Sequence, residues 1–314
     1  MAQKKKSKKS LDQVKIVEVG LRDGLQNEST TLSIEQRFQL LQFLLDAGVQ
    51  NLEIGAYVSP KWVPQMGGTE QLVKKYLQSF PAPVLKKING SVLVPNAMGM
   101  HKAIESGLKE VAIFISSTET FSQKNINCSI AESLARVKAV MILAKKNKIK
   151  VRGYLSVCFG CPFEGQVSEA KVVELAQTLY KLGCYEISIG DTIGIANPAQ
   201  AERIFKKLKK VIPAEKLAGH FHDTRGLALT NILTVYKLGI KTFDSSIAGL
   251  GGCPYAEGAS GNVSTEDVVN MFEQLNINTG LDINKLVKAN IWLSGLITHE
   301  LQSKVSRALK EQNS

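Results

Sequence analysis

KVRGYLSV (150–157), SEAKVVELAQTLYKLG (168–183) and EISIG (186–190) follow one another along the chain. The first and third are short, largely apolar runs with β-branched residues, as buried parallel strands are. The segment between them carries apolar residues at i, i+3, i+4 and i+7, the helical period. It ends at Leu182-Gly183, where glycine supplies a left-handed C-cap without steric cost. The same unit recurs outward in both directions. Further strand-like runs are VKIVEVG (14–20), NLEIG (51–55), SVLVP (91–95), EVAIFIS (110–116), LAGHFH (217–222) and TFDSSIA (242–248). SIEQRFQLLQFLLDAG repeats the helical pattern, and Ala47-Gly48, Ser106-Gly107 and Leu238-Gly239 repeat the glycine stop. Ser33, Ser168 and Thr265 are placed to cap helix starts, and Pro198 suits a first turn. Eight strands alternating with helices specify an α/β fold, the (β/α)8 TIM barrel. An open doubly wound sheet would carry G-x-G-x-x-G at its first βα turn, whereas GLRDGLQNE stands there. The patterning of 283–309 adds one or two C-terminal helices.

The 314 residues exceed one ordinary domain and suit one large barrel. No Pro-, Gly- or Ser-rich linker divides them, so 13–314 reads as a single catalytic domain. Residues 1–12 read as a disordered tail, with Lys4, Lys5, Lys6, Lys8 and Lys9 as a solvated like-charge block. Hydrophobic residues at 44% and charged residues at 21% exclude wholesale disorder. No run of 18 apolar residues offers a membrane span, and the N-terminus has no apolar signal core. Five cysteines in so long a chain fit a reducing compartment, and the CxxC of Cys158 and Cys161 lacks a second ligand pair for zinc. The net charge of +11 suits an anionic ligand. No RRM, KH or zinc-finger pattern accompanies it, so no nucleic-acid partner is expected.

In a barrel, chemistry sits at the C-terminal ends of the strands. The seventh run ends in His220-Phe221-His222, and period-two alternation puts both imidazoles on one face, where they can share a divalent metal. The first run ends in Arg22-Asp23. Beside an HxH, Asp23 is a natural oxygen ligand, which leaves Arg22 to bind an anion or stabilise an oxyanion. Glu53 lies inside the second strand and needs a partner there; an ion pair, for instance with Arg22, and a catalytic role are both open. Asp191, after the sixth strand, reads equally as a helix cap or as an acid behind the site. The Gly-rich run GLGGCPYAEGASGN (249–262) has neither a dinucleotide fingerprint nor a P-loop lysine and reads as a mobile lid bearing Cys253. Asn262 closes it, either as a cap or as a carbonyl ligand.

Seven ordered segments, VEVGLRDGLQNE, YVSPKWVPQM, KNINCS, RGYLSVCFGCPFEG, EISIGDTIG, HFHDTRGLAL and AGLGGCPYAEGASGNVSTED, together resemble the 3-hydroxy-3-methylglutaryl-CoA lyase family of TIM-barrel metallolyases over roughly residues 14–309. The resemblance implies that Asp23, His220, His222 and Asn262 bind a divalent cation, with Mg2+ or Mn2+ expected. It implies that Arg22 contacts the substrate and stabilises enolate charge. Cys253 would be the catalytic cysteine of the lid, and Glu53 and Asp191 acids near the reacting centre. The implied reaction cleaves an acyl-CoA, 3-hydroxy-3-methylglutaryl-CoA, to acetyl-CoA and acetoacetate, in leucine breakdown and ketone-body formation. A homodimer and a cytoplasmic setting are the matching expectations, since no long transit sequence precedes residue 14. Leu21 stands where the family commonly has proline, and no cysteine follows Cys253 to make the intersubunit disulfide of some members. The nearest alternative is a Claisen-type condensing enzyme of the same barrel group, isopropylmalate or homocitrate synthase-like, which typically carries a C-terminal regulatory domain.

Overall fold

A computed structural model describes residues 12–253 and 256–312, with the side chains at 253, 256–260, 311 and 312 left out. The lysine block of the tail and the thiol of Cys253 therefore lie outside the described residues. Eight parallel strands close into a barrel in chain order: β1 Lys15–Glu18, β2 Asn51–Ala56, β3 Asn89–Leu93, β4 Glu110–Ser116, β5 Lys150–Ser156, β6 Glu186–Asp191, β7 Leu217–Phe221 and β8 Thr242–Ser245. β8 pairs with β1 in the register Lys15 opposite Thr242, which completes the ring. Each strand overlaps its expected run, with ends shifted by up to three residues. β3 starts and ends two residues early, and β1 and β8 end two and three residues early because the chain leaves the ladder there. Gly20–Gly24 forms a single π-turn, and Ser246 turns away to bridge Ser264. Two helices, Ile283–Ser294 and Lys304–Gln312, follow the barrel as expected.

Helix starts follow the caps. Ser33 forms a reciprocal capping box with Gln36, Ser168 accepts from the Lys171 amide, and Pro198 opens its helix. Thr265 is not a cap. Ser264 caps the helix Thr265–Gln274, while the Thr265 hydroxyl turns inward to Glu18. The four glycines expected to end helices, at 48, 107, 183 and 239, all have φ between 82° and 106°.

Alternation along the strands fills the barrel interior with charge instead of the usual branched aliphatics. Arg152 on β5 donates Nε to Glu186 of β6 (2.7 Å), Nη2 to Asp244 of β8 (2.8 Å) and Nη1 to the Tyr154 hydroxyl (2.5 Å). Lys15 of β1 reaches the other Glu186 oxygen at 2.5 Å. Each charge is paired, which offsets its desolvation. The apolar core lies outside this ring, between strands and helices, with Ile54, Val111, Ile189 and Phe243 all fully buried.

Glu18 joins the two ends of the sheet. Its Oε1 accepts from the amides of Gly20 and Ile247 (2.8 and 2.9 Å), and its Oε2 accepts from the Thr265 hydroxyl at 2.5 Å. The contacts clamp the π-turn after β1 to the segment after β8. Complete burial, only partly countered by these three donors, pushes the carboxyl up to about 7. The folded state thus holds a proton that the unfolded chain releases near the usual carboxylate value. Stability from this group is greatest at acid pH and is lost as pH rises to about 7. Urea titrations of wild type between pH 4.5 and 7 are expected to show this decline, roughly 1–3 kcal/mol, and Glu18→Gln, which can keep the acceptor at Oε1 and does not titrate, is expected to flatten it.

Candidate metal centre

The π-turn places Arg22 and Asp23 over the C-terminal end of β1, where single π-turns often mark functional sites. β7 carries His220, and His222 lies just beyond it, held by an isolated bridge to Asn262. The two Nε2 atoms are 3.2 Å apart, and Asp23 Oδ2 lies 3.8 Å from the first and 3.9 Å from the second. Among the described residues these three make the one group of His, Cys, Asp or Glu side chains whose ligand atoms all lie within 4.8 Å. Cis ligands at about 2.1 Å from an octahedral cation are themselves about 3 Å apart, so small movements would let the three donors share one ion.

Asp244 of β8 sets the state of this site. His220 Nδ1 lies 3.1 Å from Asp244 Oδ2, and that oxygen also accepts from Ser188 at 2.6 Å. The carboxylate fixes the Nδ1–H tautomer and leaves Nε2 with its lone pair toward Asp23 and His222, as outer carboxylates do for metal-bound histidines. Burial opposes ionisation of Asp244, but Arg152 and His220 hold its carboxyl well below the usual range. Burial, then the neighbouring His220, push His222 down to about 3, so its ring is neutral at physiological pH and available as a ligand. Burial also works against the Asp23 anion. Arg22 and the two imidazoles outweigh it and keep the carboxylate ionised. The donor set is thus two imidazole nitrogens and one carboxylate oxygen, a composition that fits a divalent cation.

Arg22 is nearly buried and stretched between two acids. It pairs with Asp23 through Nη1 and with Glu53 of β2 through Nε and Nη2, both at 2.6 Å. Burial disfavours its charge, but the two carboxylates raise its pKa above the free value. Glu53 is therefore an ion-pair partner of Arg22, and its Oε1 remains buried without a hydrogen bond. Asn262 donates its amide to Asp23 Oδ2 (2.9 Å) and to the Leu250 carbonyl (3.3 Å), so it is the nitrogen that faces the site. Its place explains Gly251, with φ of +112°, where a Cβ would come within 2.8 Å of the Asn262 amide. Asp191 does not cap the following helix, which Asn197 caps. Its two oxygens take the amides of Ile195 and Ala196, and its neighbours Gly190 and Thr192 line the adjoining cavity.

That cavity, about 940 Å³, opens at the barrel mouth and has Arg22, Asp23, His220, His222 and Tyr154 among its lining. Trp62 stands at its margin, 82% exposed, and Lys102 and Lys124 also line it. The lid expected over 249–262 contributes the strands Gly252–Cys253 and Ala256–Ser260, paired antiparallel. Asn27 holds the Gly252 carbonyl. Cys158 and Cys161 are buried free thiols bonded to Leu155 and Thr118, in line with an incidental CxxC.

Sequence reasoning missed Asp244, Arg152 and Tyr154. The available signal was the one that marked Glu53: a charged residue inside a buried parallel strand requires a partner.

Comparison with known proteins agrees with this architecture. The family model described as HMGL-like matches residues 13–291. The mitochondrial hydroxymethylglutaryl-CoA lyase of Pongo abelii is 48% identical over 295 residues, which cover 94% of this chain and 89% of that one. The crystal structure of hydroxymethylglutaryl-CoA lyase from Pseudomonas aeruginosa superimposes with a TM-score of 0.91 at 43% identity, covering 96% and 99% of the two chains. An HMG-CoA lyase from Acinetobacter baumannii, in complex with coenzyme A and 3-methylmalate, gives 0.88 at 36% identity, with 95% of each chain covered. With its barrel, its mouth-side cluster and these likenesses in agreement along nearly the whole chain, the protein belongs to the HMGL-like family.

Proposed function

We propose that this chain cleaves 3-hydroxy-3-methylglutaryl-CoA to acetyl-CoA and acetoacetate. One observation carries the reading: Asp23, His220 and His222 converge on the floor of a cavity in a chain nearly half identical to a named lyase of that substrate. The same likeness favours carbon–carbon cleavage over the Claisen-type condensing alternative.

In this proposal Asp23, His220, His222 and Asn262 hold a divalent cation, Mg2+ or Mn2+, with the Asn262 amide turned so that its oxygen faces the ion. When bound, the ion supplies Lewis-acid polarisation and a template for the substrate oxygens. The protein groups do the rest. Asp23 accepts the proton of the C3 hydroxyl. The C2–C3 bonding pair moves to the thioester as acetoacetate forms, giving the enolate of acetyl-CoA. Arg22, held rigidly by Glu53 and Asp23, donates toward the developing negative charge; one preorganised donor of this kind is worth about 3–4 kcal/mol. Cys253 returns a proton to the enolate carbon. Asp191 holds the 192–196 loop at the cavity edge. The enzyme acts as a homodimer in the cytoplasm, within leucine breakdown and ketone-body formation.

A coupled assay on 3-hydroxy-3-methylglutaryl-CoA tests the proposal. EDTA is expected to abolish turnover, and Mg2+ or Mn2+ to restore it; full activity after chelation would contradict the metal assignment. Arg22→Met is expected to lower kcat by about 100-fold or more with a smaller change in KM. Cys253→Ser is expected to lose turnover much more than affinity, and an unchanged kcat would remove Cys253 from the mechanism. Asp244→Asn is expected to weaken Mn2+ binding by about 10- to 100-fold, measured by calorimetry, because it takes away the acceptor that orients His220.

A further inference from the structure

The positive charge of this protein lies at the wrong end of the barrel for its anionic substrate. In a (β/α)8 barrel the last turn of each helix and the start of the next strand lie on the face opposite the active site. The seven such connections before β2 to β8 contain fifteen lysines and five carboxylates, of which thirteen lysines and three carboxylates are exposed. Twelve of the fifteen lysines fall in the four adjacent connections before β5, β6, β7 and β8, whose strands are neighbours in the sheet. The only carboxylates there are Glu186, buried and paired with Arg152, and Glu215. Outside the seven connections and the first eleven residues, carboxylates outnumber Lys and Arg by 23 to 19. The excess charge is therefore segregated by face.

The first described residue, Asp12, is fixed at this same face. Asp12 bonds to Lys241 and Tyr236 beside β8, and its carbonyl accepts from the Asn278 amide. Asp12 thus sits at the margin of the basic sector, beside Lys241. Helix-dipole complementarity explains one or two lysines per helix end. It does not explain Lys148, Lys150, Lys209 and Lys210, which stand beyond the helices.

We propose that this face docks peripherally on an anionic lipid surface, with the active-site mouth turned outward. Three features favour lipid over nucleic acid. The fifteen basic residues of the connections are all lysine, point charges without the bidentate fork that reads base edges. The exposed tryptophan, Trp62, is at the opposite end, and the tyrosines of the basic sector, Tyr180, Tyr185 and Tyr236, are half-buried, with lysines over two of the rings, which is a poor platform for base stacking. A broad face of dispersed lysines suits the diffuse potential of acidic headgroups, where each lysine strengthens binding about 5-fold. This inference is independent of the reaction assigned above.

Co-sedimentation of the full chain with phosphatidylcholine vesicles, with and without 30% phosphatidylglycerol, at low and high salt tests it. Binding is expected only with phosphatidylglycerol and is expected to vanish at high salt. The triple variant K145Q/K181Q/K210Q should bind on the order of 100-fold more weakly while keeping lyase turnover in solution. A control triple at the mouth end, K61Q/K171Q/K304Q, should bind vesicles like wild type. No binding to the acidic vesicles, equal losses in both triples, or tighter binding to an RNA duplex at matched phosphate concentration would each overturn the proposal.

Discussion

The hydrogen bond between His220 Nδ1 and Asp244 fixes what the rest of the site can be. It places a carboxylate in the dry interior of the barrel, and Arg152 makes that possible by pairing with Asp244 and Glu186 at once. The imidazole then keeps one tautomer and presents Nε2 to the space shared with His222 and Asp23. Removing Arg152 would leave the buried Asp244 carboxylate without its cationic partner, which costs far more than an exposed ion pair is worth. The catalytic mouth of this lyase therefore rests on a charged stack that runs down the barrel to Lys15.

Arg22 shows the same logic at the surface of the stack. Its guanidinium lies 5.3 Å from the Tyr154 ring on one side, and Arg152 lies 4.8 Å from that ring. Tyr154 also meets the edge of His220, with centroids 5.9 Å apart. One buried phenol thus packs against both cations and a candidate ligand, and its hydroxyl is occupied by Arg152. The result is a preorganised set of donors at the cavity floor, which is what stabilising a transient enolate requires.

Much of this was legible in the sequence because it is local. Strands and helices announced themselves by period, glycine stops and serine caps, and the HxH lies on one face by alternation alone. The family resemblance placed Asp23, 197 residues before His220, in the same site. Long-range side-chain choices were hidden. Thr265 looks like a cap, but Ser264 takes that part because Glu18 claims the Thr265 hydroxyl. Asp191 was evenly balanced between two roles and holds a loop instead of a helix end. Asp244 sits in TFDSSIA as an unremarked acid until β8 closes against β7 and brings it to His220. Such pairings depend on barrel closure, which composition and spacing do not encode.

Pulsed EPR of the Mn2+-loaded protein tests whether Asp23, His220 and His222 share one cation. One bound ion per chain is expected, with modulation from two imidazole nitrogens, reduced to one nitrogen in His222→Gln and with binding severely weakened in Asp23→Asn. Mn2+ bound without imidazole coupling, or bound equally well by both variants, would contradict it.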